Sequence, residues 1–460
     1  MARAATLDIS RLIDERGLSR FNIGLIVFTF FVVMIDGYDI AAIGFAAPSL
    51  IRAWHVTDQA AMGTVLSASL LGMLVGAPLI GMLGDRYGRK RAIIGSLLLF
   101  GVLTWGAVLA TSMAELAWLR FFAGIGIGGF MPNVIALTAE FAPRRYRATM
   151  VMLMFTGVGF GGGLPGPVAA ALVPTYGWQV IFTIGGTVPL VVALVCWLGL
   201  PESVKYLTLR DHRPQLVRLL RRIRPDVAAG PDTRFVIQDE TQYPGYSPAK
   251  LFSDGLWLIT PLLWLLFVLN LMGYFFLVSW TPFLLSSANL PMSEAAIAQT
   301  FFQLGGAAGG VVLCRPMDNR GLLPITILFA VAVPAVALIG YVGTMSRDLL
   351  MTVEFFAGFC VLGLQLGLNA TAASIYPTSF RSNGTGWALG IGRVGAIVGP
   401  VLGGFLIAAK LPVEKLFLIA SVPFLLGAFA CFGLMRLYVA RFQGGGLGQR
   451  ERLDAAAAGE

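Results

Sequence analysis

Charge is what this sequence has least of. Asp, Glu, Lys and Arg make up 12% of its 460 residues, where an ordinary soluble domain has roughly 25%, and the shortage excludes a conventional water-soluble globule. Histidine is nearly absent. His55 and His212 are the only two, both in polar breaks between apolar runs, which excludes a histidine relay at the centre of those runs. The four cysteines, Cys196, Cys314, Cys360 and Cys431, lie inside or at the ends of apolar runs with no paired spacing; they read as small packing residues, and no metal site is expected. A phosphate-cradling P-loop and a nucleophile elbow are both missing, so nothing supports an ATP-driven or enzymatic chain.

What is abundant is apolar surface. Hydrophobic residues make up 57% of the chain and gather in runs of about 20, the length a bilayer's hydrocarbon core requires. Twelve runs are predicted as membrane-spanning helices, near 22–47, 61–83, 92–111, 116–139, 149–172, 178–200, 256–280, 295–314, 322–343, 349–372, 384–408 and 413–436. The residues before the first run are charged, and that run is too long for a signal-peptide core, so no cleaved leader is expected. A net charge of +9 raises nucleic acid as a partner, but the placement of the basic residues points to the lipid bilayer instead. Arg52, Arg347, Lys410 and Lys415 fall on one side, Arg120 and Arg393 lie within spans, and the remaining Lys and Arg share the side of both termini. By the positive-inside rule that side is the cytoplasm.

The chain repeats itself. "RFFAGIGIGG" at Arg120 is answered by "EFFAGFCVLG" at Glu354, 234 positions on; Pro143 with Arg147 recurs at the same step as Pro377 with Arg381. Asp85 and Asp318 lie 233 apart, as do the two "GPV" triplets at 166 and 399. The sequence therefore predicts an all-α membrane protein of two six-helix bundles related by a pseudo-two-fold axis along the membrane normal. Its parts are a cytoplasmic leader (1–21), an N-terminal bundle (22–200), a cytoplasmic central loop (201–250), a C-terminal bundle (251–437) and a cytoplasmic tail (438–460). Two similar bundles suit alternating access, which favours a transporter over a scaffold or a membrane chemosensor.

Charges inside the spans mark the candidate site. A carboxylate at the centre of a spanning helix costs roughly 2.5–3.5 kcal/mol on insertion scales, so an idle one is selected against. Yet "FFVVMIDGYDIAAIGF" (30–45) carries Asp36 and Asp39 three residues apart on one helix face. Two desolvated carboxylates close together resist joint ionisation, which suits proton carriage; the alternative is an aspartate bonded to backbone in helix packing. Arg393, in "GIGRVGAI", is also near mid-membrane and needs an anion, either the first-span aspartates or a substrate carboxylate gripped at two points. Asp36 maps through the repeat onto Asn270, and Arg393 onto Gly159, so these charges break the duplication. Arg120, Glu140 and Glu354 form a second tier, suited to proton coupling or to contacts at the bundle seam.

The loop "GMLGDRYGRKR" (81–91) resembles the signature of the major facilitator superfamily, with Gly81, Asp85, Arg86, Gly88, Arg89 and Lys90 as its gate residues. Within that superfamily the chain is similar to the aromatic acid:proton symporters, importers of 4-hydroxybenzoate, protocatechuate and benzoate. The segments that carry this are "LDISRLIDERGLSRFN", "DGYDIAAIGFAAPSL", "RFFAGIGIGGFMPNVIALTAE", "LPES" and "YPTSFRSNGTGWALGIGRVGAIVGP". The resemblance implies the major facilitator fold, uptake of a monocyclic aromatic carboxylate coupled to protons for aromatic catabolism, and no cofactor. It implies a bacterial inner-membrane location and a monomer. Tyr38, Asn133, Asn270, Tyr274, Gln365, Asn369 and Trp387 are then the expected pocket wall, aromatic faces for a ring and amides for a phenol hydroxyl. Another small organic anion or a sugar is the alternative cargo.

Overall fold

The computed structural model describes residues 6–16, 18–56, 59–143, 146–210, 212–223, 234–236, 251–253, 256–288, 290–343, 345–376 and 381–442. Much of the expected central loop, and the tail from 443 on, lie outside these. The chain runs β1 (Thr6–Asp8), α1 (Ile9–Arg16), α2 (Arg20–Ala53), α3 (Gln59–Tyr87), α4 (Arg89–Gly106), α5 (Met113–Phe141), α6 (Arg147–Gly163), α7 (Pro165–Tyr176), α8 (Gln179–Gly199), α9 (Val204–Leu209) and α10 (Arg213–Ile223). There follow β2 (Arg234–Val236), α11 (Ile259–Ser287), α12 (Met292–Arg320), α13 (Leu323–Val342), α14 (Arg347–Ile375), α15 (Arg381–Ala408) and α16 (Val413–Phe442). Among the described residues the departure from an all-helical chain is small: β1 and β2 pair in parallel, Thr6 opposite Arg234, which ties the leader to the central loop.

Among the described residues, eleven helices are long and apolar enough to cross a membrane. The remaining expected span, near 295–314, falls on α12, whose 29 residues suffice in length. The fifth expected span is broken in two, because Pro165 has no N–H to continue α6 and instead opens α7. Outward faces are apolar: Leu198 is 75% exposed and Phe429 70%, as side chains facing acyl chains require.

The helices gather into two compact units. The first holds Met1–Asp39, Leu71–Gly161 and Phe182–Gln242; the second holds Ile40–Leu70, Gly162–Ile181 and Tyr243–Glu460. Small residues set the spacing inside each. In the second unit α12 and α14 run parallel, and a side chain at Gly305 or Gly358 would strike the carbonyl of Phe355 or Phe302 on the other helix. Backbones at that range gain dispersion contacts that a lipid tail does not replace.

Candidate functional site

In the first unit Asp36 and Asp39 lie on α2, 5% and 3% exposed, and Arg120 of α5 is 1% exposed. Arg120 grips Asp39 at two points: Nη1 donates to Oδ1, and Nη2 donates to Oδ2 at 2.8 Å. This fork geometry is the strongest arrangement an arginine and a carboxylate can make. The ring of Phe182 on α8 lies 6.0 Å from the guanidinium carbon. Tyr38 sits alongside, its ring 3.1 Å from where a side chain at Gly185 would begin. The mutual repulsion expected of Asp36 and Asp39 is thus relieved, because Asp39 carries a cation of its own. Arg120, expected in the second tier, is the partner of Asp39.

In the signature loop Asp85 is 71% exposed and contacts Arg89 one turn on at 3.4 Å. Arg89 also pairs with Glu140 of α5, whose other oxygen accepts the Ser203 hydroxyl at 2.6 Å. Glu202, which sequence reading passed over, accepts the backbone N–H of Lys90 at 3.0 Å. It thereby supplies the negative charge that the start of α4 lacks, since the cap residue Gly88 has no side chain. Lys90 donates its ammonium to the carbonyl of Trp197 at 2.7 Å. Two motifs, "GDRYGRK" and "LPES", are therefore one interlocked structure. Arg86 extends over the ring of Tyr87, and Gly81 faces Pro132 with room to spare. Asn133 donates to the backbone carbonyls of Gly129 within α5 at 2.8 Å and of Ile80 on α3 at 3.2 Å, so its amide hydrogens help hold α3 against α5.

In the second unit a line of amides runs through the bundle. Asn270 of α11, fully buried, donates to Gln365 of α14 at 3.0 Å, and Gln365 donates to Asn369 at 3.3 Å. Tyr274 stacks on Phe302 of α12 with ring centroids 6.3 Å apart. Arg393 is half-buried on α15, between Gly392 and Gly395, which abut Phe267 and Val268 of α11. Trp387 is 43% exposed and stacks on Trp264. Glu354 of α14 is fully buried.

Ionisable and amide side chains buried inside long apolar helices mark a membrane protein with a functional polar interior. A sequence model of the Major Facilitator Superfamily matches residues 29–344 and 263–454, and the chain belongs to that superfamily. It is 36% identical to a gallate transporter of Pseudomonas putida over 93% of this chain and 94% of that one. It is 35% identical to the 4-hydroxybenzoate transporter PcaK of the same species, over 91% and 93%. The crystal structure of a bacterial homologue of the human lysosomal transporter Spinster, inward-facing and occupied, superposes with a TM-score of 0.70 over 92% of this chain and 99% of that one. At 16% identity that match speaks to the fold.

Proposed function

We propose that the chain imports a monocyclic aromatic carboxylate of the hydroxybenzoate kind together with protons. The observation that carries this reading is the near full-length similarity to the gallate and 4-hydroxybenzoate transporters. Asp36 is the proton carrier, and Asp39, held by Arg120, sets the field around it. Arg393 reads the substrate carboxylate at two points. The amides of Asn270, Gln365 and Asn369, with the ring of Tyr274, suit a hydroxylated ring. Residues 22–200 and 251–437 act as two six-helix halves that alternate access. The protein works as a monomer in the bacterial inner membrane, both termini cytoplasmic, with no cofactor beyond the coupling proton.

Proteoliposomes offered a panel of labelled acids under an imposed pH gradient test the reading. Accumulation of a hydroxybenzoate is expected to rise as external pH falls and to collapse with a protonophore; indifference to both would overturn proton coupling. Arg393→Lys keeps the charge but loses the planar fork, so it is expected to fail nearly as badly as Arg393→Ala. Binding of the acid's uncharged amide to wild type as tightly as the acid would overturn the role of Arg393 and with it the carboxylate substrate.

A further inference from the structure

The duplication that produced the two halves left them unequal at one position. Arg120 corresponds to Glu354, and Asp39, which holds Arg120, corresponds to Gly273. In the first half a cation and an anion satisfy each other. In the second, Glu354 is a carboxyl group whose would-be counterpart is a bare glycine, against which the ring of Phe424 packs. Glu354 is 0% exposed, and neither of its carboxylate oxygens has a hydrogen-bond partner among the described residues.

Its surroundings repeat the pattern. Gln299 of α12 is 0% exposed with both amide atoms unpartnered, and Thr281 of α11 is 1% exposed with its hydroxyl unpartnered. The helix packing puts the three in one layer. The parallel α12–α14 pair sets Gly305 against Phe355 and Phe302 against Gly358, so Glu354 lies level with the turns that carry Gln299. In the antiparallel α11–α14 pair Asn270 meets Gln365, and eleven residues along each helix from that contact are Thr281 and Glu354.

Charges facing this layer are remote. Over their described lengths α11 and α13 contain no charged residue, Tyr274 and Tyr341 being their titratable groups. On α12 the charged groups are Glu294 in the first turn and Arg315, Asp318 and Arg320 at the far end; on α15 they are Arg381 and Arg393. Arg393 stands near the Asn270–Gln365 level, about 16 Å along the bundle at 1.5 Å per residue. On α14 itself Arg347 and Asp348 are exposed in the first turn, about 10 Å before Glu354. They rim a cavity of about 530 Å³ that also touches Met351, three residues before Glu354, and Phe355, the residue after it.

An ionised carboxylate without a cation in such a layer meets a desolvation cost that protonation removes. The protonated acid has a further advantage: it gains an O–H donor, which the amide oxygen of Gln299 and the hydroxyl of Thr281 are able to accept. We propose that Glu354, with Gln299 and Thr281, is a second proton-holding site, located in the C-terminal half and separate from Asp36. This rests on the proton-coupled reading above. Glu354 releases its proton when the helices around it move and admit solvent or a cation, and the cavity beside Arg347 and Asp348 is the approach to it.

Two measurements test this. In reconstituted protein at neutral pH, infrared spectra are expected to show a carboxylic-acid C=O band that shifts when the protein is made with ¹³C-glutamate, which separates glutamate from Asp36 and Asp39. No glutamate-derived acid band in wild type would overturn the proposal, whatever the variants do. Glu354→Gln, a neutral isostere of the protonated acid, is expected to keep substrate counterflow within about twofold of wild type. Under a gradient of one pH unit it should lose the roughly tenfold accumulation that one coupled proton sustains. A Gln variant that accumulates like wild type would equally overturn the proposal. If wild type itself ignores the gradient, the proton-coupled reading falls first, and loss of the glutamate-derived acid band in Glu354→Gln decides whether Glu354 holds a proton.

Discussion

The Asp39–Arg120 pair costs the desolvation of two charges, and the fork between them offsets that only while both members are present. Removing one leaves an uncompensated charge among apolar helices, a loss of about 3–5 kcal/mol. Arg120→Gln is therefore expected to lower the melting temperature and membrane abundance sharply. The double variant Asp39→Asn with Arg120→Gln should recover most of that stability, because no buried charge remains unpaired. Thermal unfolding of detergent-purified single and double variants checks this; a double variant as unstable as Arg120→Gln would show that the pair acts through packing and not charge. Asp36→Asn should behave in the opposite way. Removing a buried charge eases insertion, so abundance is kept while gradient-driven uptake is lost. This contrast is what the proposed proton-carrying role of Asp36 requires, and equal loss of abundance in Asp36→Asn would count against it.

At the scale of elements, the start of α4 shows how a motif read as one thing is built as another. The glycines of the signature loop read from the sequence as points of close approach, and Gly84 is one, its would-be side chain falling on Asn133. Gly88 answers to a different constraint: its φ of 105° lies in the region that L side chains rarely adopt, and a side chain there would begin 2.5 Å from the Glu202 carboxylate. That carboxylate also holds the N–H of Lys90. Gly88→Ala therefore meets backbone strain of about 1–2 kcal/mol and displaces the charge that caps α4. Gly81→Ala, whose new carbon meets only Pro132 at 3.7 Å, should be nearly silent. Comparing melting temperatures and uptake of the two variants decides it, and equal losses would refute the assignment. Glu202 escaped the sequence reading because it lies 112 positions from the helix end it serves, and no local pattern links them. The spans were legible because hydropathy is a property of contiguous residues; the break at Pro165 depends on backbone geometry that composition averages away.

Across the whole molecule, the buried charges of the site could be listed from the sequence, but not their partners. Asp36, Asp39, Arg120, Glu354 and Arg393 stand out because charge in an apolar run is costly, whereas Asp39 meeting Arg120, 81 positions away, is a fact of packing. The same holds for the large-scale state of the protein. In the second unit the Ile40–Leu70 segment packs against helices from the other end of the chain. A side chain at Gly44 would begin 2.6 Å from the carbonyl of Val278 on α11, and one at Gly63 would begin 2.8 Å from that of Pro400 on α15. Ser67, 1% exposed, donates its hydroxyl to the carbonyl of Ile397 at 2.9 Å. Contacts this close, made through carbonyls and glycines with no ion pair among the described residues, form and separate without stranding a charge, as a seam that opened and closed in a transport cycle would require. If the seam closes in this state, Gly63→Leu should hold it open: the leucine has a backbone carbonyl in its way and no flexible group to push aside. The variant is expected to reach the membrane in normal amount and to lose uptake. A cysteine placed at Ser67 should then gain reactivity toward a membrane-impermeant thiol reagent added from outside, relative to the same cysteine with Gly63 intact. Unchanged labelling together with normal uptake would show that the Gly63 contact is static packing, and the conformational cycle would have to be sought elsewhere in the bundle.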